Sequence, residues 1–393
     1  MPITLKKIAQ LVKRKIIFAK PKESNLIVFD CLSDKWLKEL LVGVDYFLLS
    51  TRFENIKYIY INTDILLFLI LNIFKRSLKR NYLFALIKQI NPKLVITMID
   101  NSYDFSIAVK YFKDKIPFYA IQNSSRDDIK TEETESKKIY LKTFFCFGEY
   151  EKKLYQTNFI NVENFIFSGP LKPSLTLNYI KNKKIKIIEN EYDICLPAEL
   201  SIDFSTPKFS SIHSFTNYSD SCLTLAEYVH KLCSKHKLKL IFSSKYFPSK
   251  YTDDKSSNTR SYENEVNFYK KKLKDYKFYI LPRQNKYAGY INALKSNLTI
   301  GLSTTLLREA FYLKKKVFAC NLTYHPYADF PIKNIASPII NNFNDFEIHA
   351  LKLLEMKTSK YFEILTDEVD KVVKWNVKSD EIILNSILKQ INN

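Results

Sequence analysis

Residues 298–320 read LTIGLSTTLLREAFYLKKKVFAC, and this stretch decides the fold class. LTIGLS (298–303) is an apolar strand that closes at Gly301, and KKVFAC (315–320) is a second. Between them, TLLREAFYL (305–313) reads as a helix. Ser303 or Thr304 is placed to cap it, because a hydroxyl there accepts from an N–H of the first turn that has no partner within the helix. Strand, capped turn, helix and strand make a βαβ unit, and that unit builds a parallel sheet.

The same alternation extends outward in both directions. Upstream lie the strands YDICLP (192–197), KLKLIFS (237–243) and KFYILP (277–282), separated by helix-like stretches at 222–236, 264–276 and 287–297. A polar, Ser-rich loop occupies 246–262, and LNYIKNKKIKIIENE (177–191) reads as a charged connector. An earlier series carries NLIVFD (25–30), DYFLLS (45–50), KYIYIN (57–62), KLVITMI (93–99), IPFYAIQ (116–122), FFCFG (144–148) and ENFIFSG (163–169). Helical patterns at 34–44, 106–114 and 149–157 separate some of these strands, and the segment from Asp345 to Asn393 follows a 3.6-residue period. Strands that are apolar throughout belong to sheets covered on both faces. The expectation is α/β: two Rossmann-like, doubly wound parallel-sheet domains at 1–185 and 190–345, with C-terminal helices from 346 to 393 packing across both.

Composition narrows the function classes. The chain has 393 residues, 46% hydrophobic and 26% charged, which suits folded domains and excludes whole-chain disorder. It holds only 5 glycines, so collagen-like and glycine-linker designs are excluded. Six cysteines lie scattered with no C-x-x-C spacing, as expected of buried thiols in a reducing cytoplasm. No signal peptide is legible, and the longest apolar run, ILLFLILNIF (65–74), is half the length of a membrane span. D-x-D is absent, so a metal-bridged diphosphate is disfavoured and no metal site is expected; G-x-S-x-G, P-loop and G-x-G-x-x-G patterns are absent too, so hydrolase, NTPase and dinucleotide readings lose their usual support.

Charge is strongly uneven. Lys and Arg number 61 against 41 Asp and Glu, a net +20. Residues 1–22 and 65–99 contain Lys and Arg but no acid, and apolar residues are interleaved in both. Leu5, Ile8, Leu11, Val12 and Ile16 recur at helical spacing in the first. Such segments suit an anionic membrane surface. No nucleic-acid module accompanies them, so no specific nucleic acid is expected.

In doubly wound sheets, ligands collect beyond the carboxyl ends of the strands. The helix start at Ser303, Thr304 and Thr305 offers N–H groups and a positive dipole end to a phosphate. Glu309, one turn in, is placed to accept from sugar or ribose hydroxyls. Lys245 and Arg283 follow strands and carry charge opposite to a diphosphate.

The pattern G-x-S-[ST]-x-x-x-E-A-x-x-x-x-[KR]-x-V, on Gly301 to Val317, resembles the donor-binding segment of GT-B glycosyltransferases, particularly bacterial surface-carbohydrate biosynthesis proteins. Lys314 stands where many relatives carry glycine, so the turn there is expected to be built differently. LVITMIDNSYDFSIAVKYFKDKIPFYAIQNSSRDD (94–128) is similar to a second segment of that family. Asp100, Asn101, Gln122, Asn123 and Arg126 fall on its pattern, although caps and turns explain these residue types as well. Gly148 and Gly169 end strands near the expected interdomain cleft. His325-Pro326 is similar to the His-Pro pair of bacterial sialyltransferases, but it follows the Ser motif instead of preceding it.

The resemblance implies a metal-independent glycosyltransferase without a cofactor. Its donor would be a UDP- or CMP-linked sugar, and its acceptor a glycan or a lipid-linked surface polysaccharide or lipopolysaccharide. The protein would work at the inner face of the cytoplasmic membrane. Asp100 is the expected base, with Asp104 and Glu149 in reserve. A sugar-nucleotide epimerase or a polyol-phosphate transferase on the same scaffold stays open, as does a non-catalytic basic protein that binds membrane or nucleic acid.

Overall fold

A computed structural model describes residues 14–52, 55–113, 115–125, 139–157, 160–199, 217–248, 261–274 and 276–393. In chain order the strands are β1 (Lys15–Ile17), β2 (Leu26–Phe29), β3 (Phe47–Leu49), β4 (Tyr58–Tyr60), β5 (Leu94–Thr97), β6 (Phe118–Ile121), β7 (Ile139–Cys146) and β8 (Ile160–Phe167). The second series is β9 (Tyr192–Pro197), β10 (Leu240–Ser243), β11 (Ile280–Leu281), β12 (Ser296–Gly301) and β13 (Lys316–Ala319). Six strands form one parallel sheet in the order β3-β2-β5-β6-β7-β8, and five form another in the order β11-β10-β9-β12-β13. Helices such as Cys31–Leu40, Tyr103–Phe112, Tyr218–His236 and Thr305–Tyr312 connect the strands. This is the α/β architecture expected from the apolar strands.

The reason is visible in the burial. LIVF of β2, LVIT of β5 and KVFA of β13 are buried at every position, so both faces need cover. Register aligns like with like: Val28 opposite Ile96 in the first sheet, Ile300 opposite Phe318 in the second.

Three local expectations fail. KYIYIN supplies β4, but β4 leaves the main sheet and pairs in parallel with β1. Ile16, assigned above to a helical stripe, therefore sits in a strand: KIIF is β-branched and aromatic and suits a pleated surface. The rest of that stripe, residues 1–13, lies outside the described residues. The connector at 177–191 is also half wrong. Its start belongs to a helix, Leu171–Asn182, whose buried face begins upstream at Leu171, Ser174 and Leu175. The Ser-rich loop lies mostly outside the described residues.

Helix Phe343–Glu355 covers the second sheet, and Thr358–Val372 reaches helix Tyr150–Thr157 of the first half. Helix Ser379–Asn392 then packs on Leu171–Asn182. Asp380 accepts from the Ser174 hydroxyl at 2.5 Å and from the Asn178 amide at 2.7 Å. Gly148 and Gly169 lie under the stretch that joins the last two helices: a Cβ at Gly148 would run into the backbone of Lys371 and Val372, and one at Gly169 into the Lys374 carbonyl.

Candidate functional site

In the second sheet the strand order reverses between β9 and β12, and a crevice opens beyond their carboxyl ends at such a point. A cleft of about 440 Å³ lies there. The second half lines it with Glu199, Lys245, Arg283, Tyr290, the Ser303–Thr305 turn and Glu309, and the first half adds Ser124, Ser125 and Lys172.

The helix start is built as the caps require, with one difference. Thr304 is the N-cap, in extended conformation, and its side chain accepts from Leu306 N–H. The N–H groups of Leu302 and Ser303 are already taken. Both donate to the Glu199 carboxylate, at 2.5 and 3.0 Å, and the Tyr218 hydroxyl donates to it at 3.0 Å. Burial raises the Glu199 pKa against these three donors. Gly301 is needed for this approach, since a Cβ there would lie 2.7 Å from Glu199 Oε1. A phosphate expected on Ser303 N–H thus meets a built-in carboxylate, and the turn from Thr304 onward is the part left to a ligand. Thr305 Oγ1 accepts from Ser125 N–H at 3.1 Å, so the first half already touches this turn.

Glu309 lines the cleft. Tyr290 donates to its Oε2 at 3.1 Å, while buried Oε1 has no hydrogen-bond partner among the described residues. Burial pushes its carboxyl up to about 7, against the opposing pull of Lys172, the Tyr290 hydroxyl, Arg308 and Arg283. Cations surround it. Lys172 Nζ donates to the Asn123 carbonyl at 2.5 Å and Lys245 Nζ to the Glu199 carbonyl at 3.3 Å. Arg283 donates to the carbonyls of Lys245, Asn285 and Lys286 and lies 4.9 Å over the Phe247 ring. Gly301, Ser303, Thr304, Thr305, Glu309, Lys245 and Arg283 are therefore brought together.

The first-half candidates fare differently. Asp100 is fully buried: Tyr155 donates to one oxygen at 2.6 Å, and Asn123 N–H approaches the other at 3.4 Å. It braces the strand ends from inside and does not open on the cleft. Asp104 pairs with Lys79 and Arg80, at 2.6 and 3.0 Å, which hold its carboxyl below the usual range despite opposing burial. Glu149 and Asn101 are exposed and line no part of the cleft. Gln122 is structural: it donates to Glu151 at 3.0 Å and accepts from Phe147 N–H at 2.8 Å. Asn123 lies outside the cleft lining, and its carbonyl accepts from Lys172, which belongs to it. Arg126 lies outside the described residues. His325 is exposed and also lies outside the cleft lining.

Several roles escaped sequence reasoning. The strand-end rule points to Pro197–Glu199 and to Asp30, but nothing local signals that Glu199, just beyond β9, reaches across to Leu302 and Ser303. Lys172 starts a helix that the sequence hid in a connector. Arg308, one position before Glu309, turns away from the cleft to clamp Glu151 bidentately, at 2.5 and 2.9 Å. Asp30, at the reversal point of the first sheet, holds φ +78°, a conformation that side chains rarely adopt. Its carboxylate accepts from Leu32 N–H, Thr51 and Arg52. Among the described residues no cluster of three or more His, Cys, Asp or Glu could hold a metal ion.

No family model matches this sequence, and no curated protein matches it. Solved structures do match. The UDP-GlcNAc 2-epimerase from Neisseria meningitidis, bound to UDP-GlcNAc, superposes with TM-score 0.54 at 17% identity, covering 93% of this chain and 99% of that one. The wall teichoic acid polymerase TagF gives TM-score 0.53 at 11% identity over 94% and 90%. MnaA of S. aureus, in complex with UDP, gives 0.52 at 12% over 96% and 97%. The fold is thus the two-domain GT-B fold with a C-terminal helix, shared with a wall teichoic acid polymerase and a UDP-GlcNAc 2-epimerase.

Proposed function

We propose that this chain is a metal-independent glycosyltransferase that moves a sugar from a nucleotide donor to a glycan or lipid-linked acceptor in bacterial surface-polysaccharide synthesis. One observation carries the reading. Glu309 presents a buried carboxylate oxygen, without a partner among the described residues, to a cation-lined cleft at the strand reversal of a GT-B fold. The donor lies against residues 190–345, with Lys245, Arg283 and the Thr304–Thr305 turn toward its phosphates. Lys172 approaches from the first half, residues 1–185, which takes the acceptor at the inner face of the cytoplasmic membrane. UDP- and CMP-linked donors both fit this chemistry.

The reaction breaks the bond between the anomeric carbon and the donor phosphate and forms one to the acceptor oxygen. The acceptor proton needs a base, and developing charge on the phosphate needs cations. Asp100 is sealed and Asp104 is ion-paired, so the base role passes to Glu309. A carboxyl near 7 is matched to that task, because a base works best close to operating pH.

The test combines a nucleotide panel with a conservative variant. UDP, CMP or one of their sugars should raise the melting temperature. Glu309→Gln should keep nucleotide binding while turnover falls about 10²–10⁴-fold. Full turnover in that variant, or no stabilisation by any nucleotide, overturns the reading. The second reading is a 2-epimerase, favoured by the neighbours that bind UDP-GlcNAc and UDP. Epimerisation breaks a C–H bond, so a donor recovered from D2O carries deuterium, whereas glycosyl transfer leaves that carbon untouched. A polyol-phosphate transferase carries donor phosphorus into the acceptor product, whereas glycosyl transfer leaves all phosphorus on the nucleotide.

A further inference from the structure

ILLFLILNIF (65–74) is the most apolar run in the sequence, and most of it is not buried. Helix Thr63–Leu71 buries Ile65 alone. Leu66, Leu67, Ile70 and Leu71 stand exposed, and beyond the helix Ile73, Leu78 and Phe74 follow, the last 99% exposed. Seven large apolar side chains within thirteen residues form a contiguous patch, unlike the single apolar residues scattered over ordinary surfaces.

A basic rim surrounds this patch. Lys75 is exposed, Arg76 stacks on Tyr111 at 4.6 Å, and Lys79 with Arg80 shares the single carboxylate of Asp104. No acid occurs from Ile65 to Ile99, so the rim keeps a positive excess after that pairing. The neighbouring β1–β4 ribbon ends in Phe18, 81% exposed, and Lys20 ties that end to Asp64 of the helix at 2.8 Å.

We propose that this face docks into the interfacial region of an anionic phospholipid bilayer. An apolar centre gains from leaving water, and a cationic rim gains from the headgroups. Nucleic acid would satisfy the rim but leave the centre wet. A second copy of this chain would cover the centre but bring two positive rims together, on a chain of net charge +20. Only a surface that is apolar within and anionic at its boundary answers both. No described helix is long and apolar enough to cross a membrane, so the contact is peripheral at this patch. This inference stands apart from the cleft chemistry and holds whichever reaction the cleft performs.

The test is sedimentation of the full chain with vesicles of phosphatidylglycerol and phosphatidylcholine in equal parts, against phosphatidylcholine alone. The protein should bind the anionic vesicles at low ionic strength and be partly released by salt. Ile70→Gln with Phe74→Gln removes two exposed side chains, so it should keep the melting temperature and the nucleotide response while vesicle affinity falls at least tenfold. Lys75→Gln should weaken binding severalfold, whereas Arg76, Lys79 and Arg80 serve less well as probes because they have contacts within the fold. Three results overturn the proposal: no binding to anionic vesicles, unchanged binding in the double variant, or a dimer in solution that the double variant separates into monomers.

Discussion

Glu309 and Glu265 share a physical situation. Both are buried, each has one oxygen with no partner among the described residues, and burial pushes each carboxyl up to about 7. Glu265 lies beneath the Ser244–Lys245 turn, accepting from the Ser244 hydroxyl at 2.5 Å and Lys245 N–H at 3.2 Å. In the unfolded chain both titrate near the ordinary glutamate value of about 4.3. Between that value and 7 the native state holds more protons than the unfolded one, so stability falls as pH rises through this window. Each group contributes a slope of up to about 1.4 kcal/mol per pH unit there. Melting temperature should therefore drop between pH 5 and 7.5, and Glu265→Gln should flatten part of that drop; an identical slope in the variant rejects the assignment. Roles at this scale were only partly legible. Glu309 could be read because cap, turn and helix are local. The sealing of Asp100 could not, because it depends on Tyr155, 55 positions away.

The helix Thr305–Tyr312 shows how elements form in a chain with so little glycine. The turn after it does not avoid the geometry that glycine favours. Lys314 adopts it directly, at φ +56°, with its N–H donating to the Phe311 carbonyl and the Lys315 N–H to that of Ala310. The expectation of a differently built turn is corrected: conformation is kept and strain accepted. Asn91, Lys184, Asn190, Asn217, Lys237 and Tyr324 do the same elsewhere. A left-handed conformation costs a non-glycine residue about 1–2 kcal/mol, partly offset by the extra freedom of glycine when unfolded. Lys314→Gly should consequently raise unfolding free energy by about 0.5–1 kcal/mol in a denaturant titration, and a loss of stability would contradict the account. Strands were the most legible elements, since central parallel strands such as β2 and β5 are buried at every position. Short amphipathic pieces were less so. Lys15–Ile17 suits helix or strand, and only its pairing with Tyr58–Tyr60 decides. ILLFLILNIF was read correctly as too short to span, but its exposure depends on what the fold leaves uncovered.

Across the whole molecule, the two halves are joined by the Arg308–Glu151 clamp. Glu151 is completely buried, accepts additionally from Gln122 and Gly148, and faces an Arg308 that also donates to the Val372 carbonyl at 2.6 Å. One ion pair thus secures helix Thr305–Tyr312, the first half and the end of helix Thr358–Val372. Removing one member of a buried pair strands the other charge and costs about 3–5 kcal/mol, whereas replacing both with apolar groups is close to neutral. Glu151→Ala should lower stability by that amount, and adding Arg308→Met should recover much of it; a double variant as weak as the sum of its parts would show that the clamp is not coupled. The packing of Ser379–Asn392 on Leu171–Asn182 has a consequence in time. Ser174 and Asp380 are separated by 206 positions. A ribosome adds about 5–20 residues per second, so that interval takes on the order of 10–40 s. Throughout it the newly made first sheet has every strand but lacks one covering layer, and its apolar surface is open to chaperones or to neighbouring nascent chains.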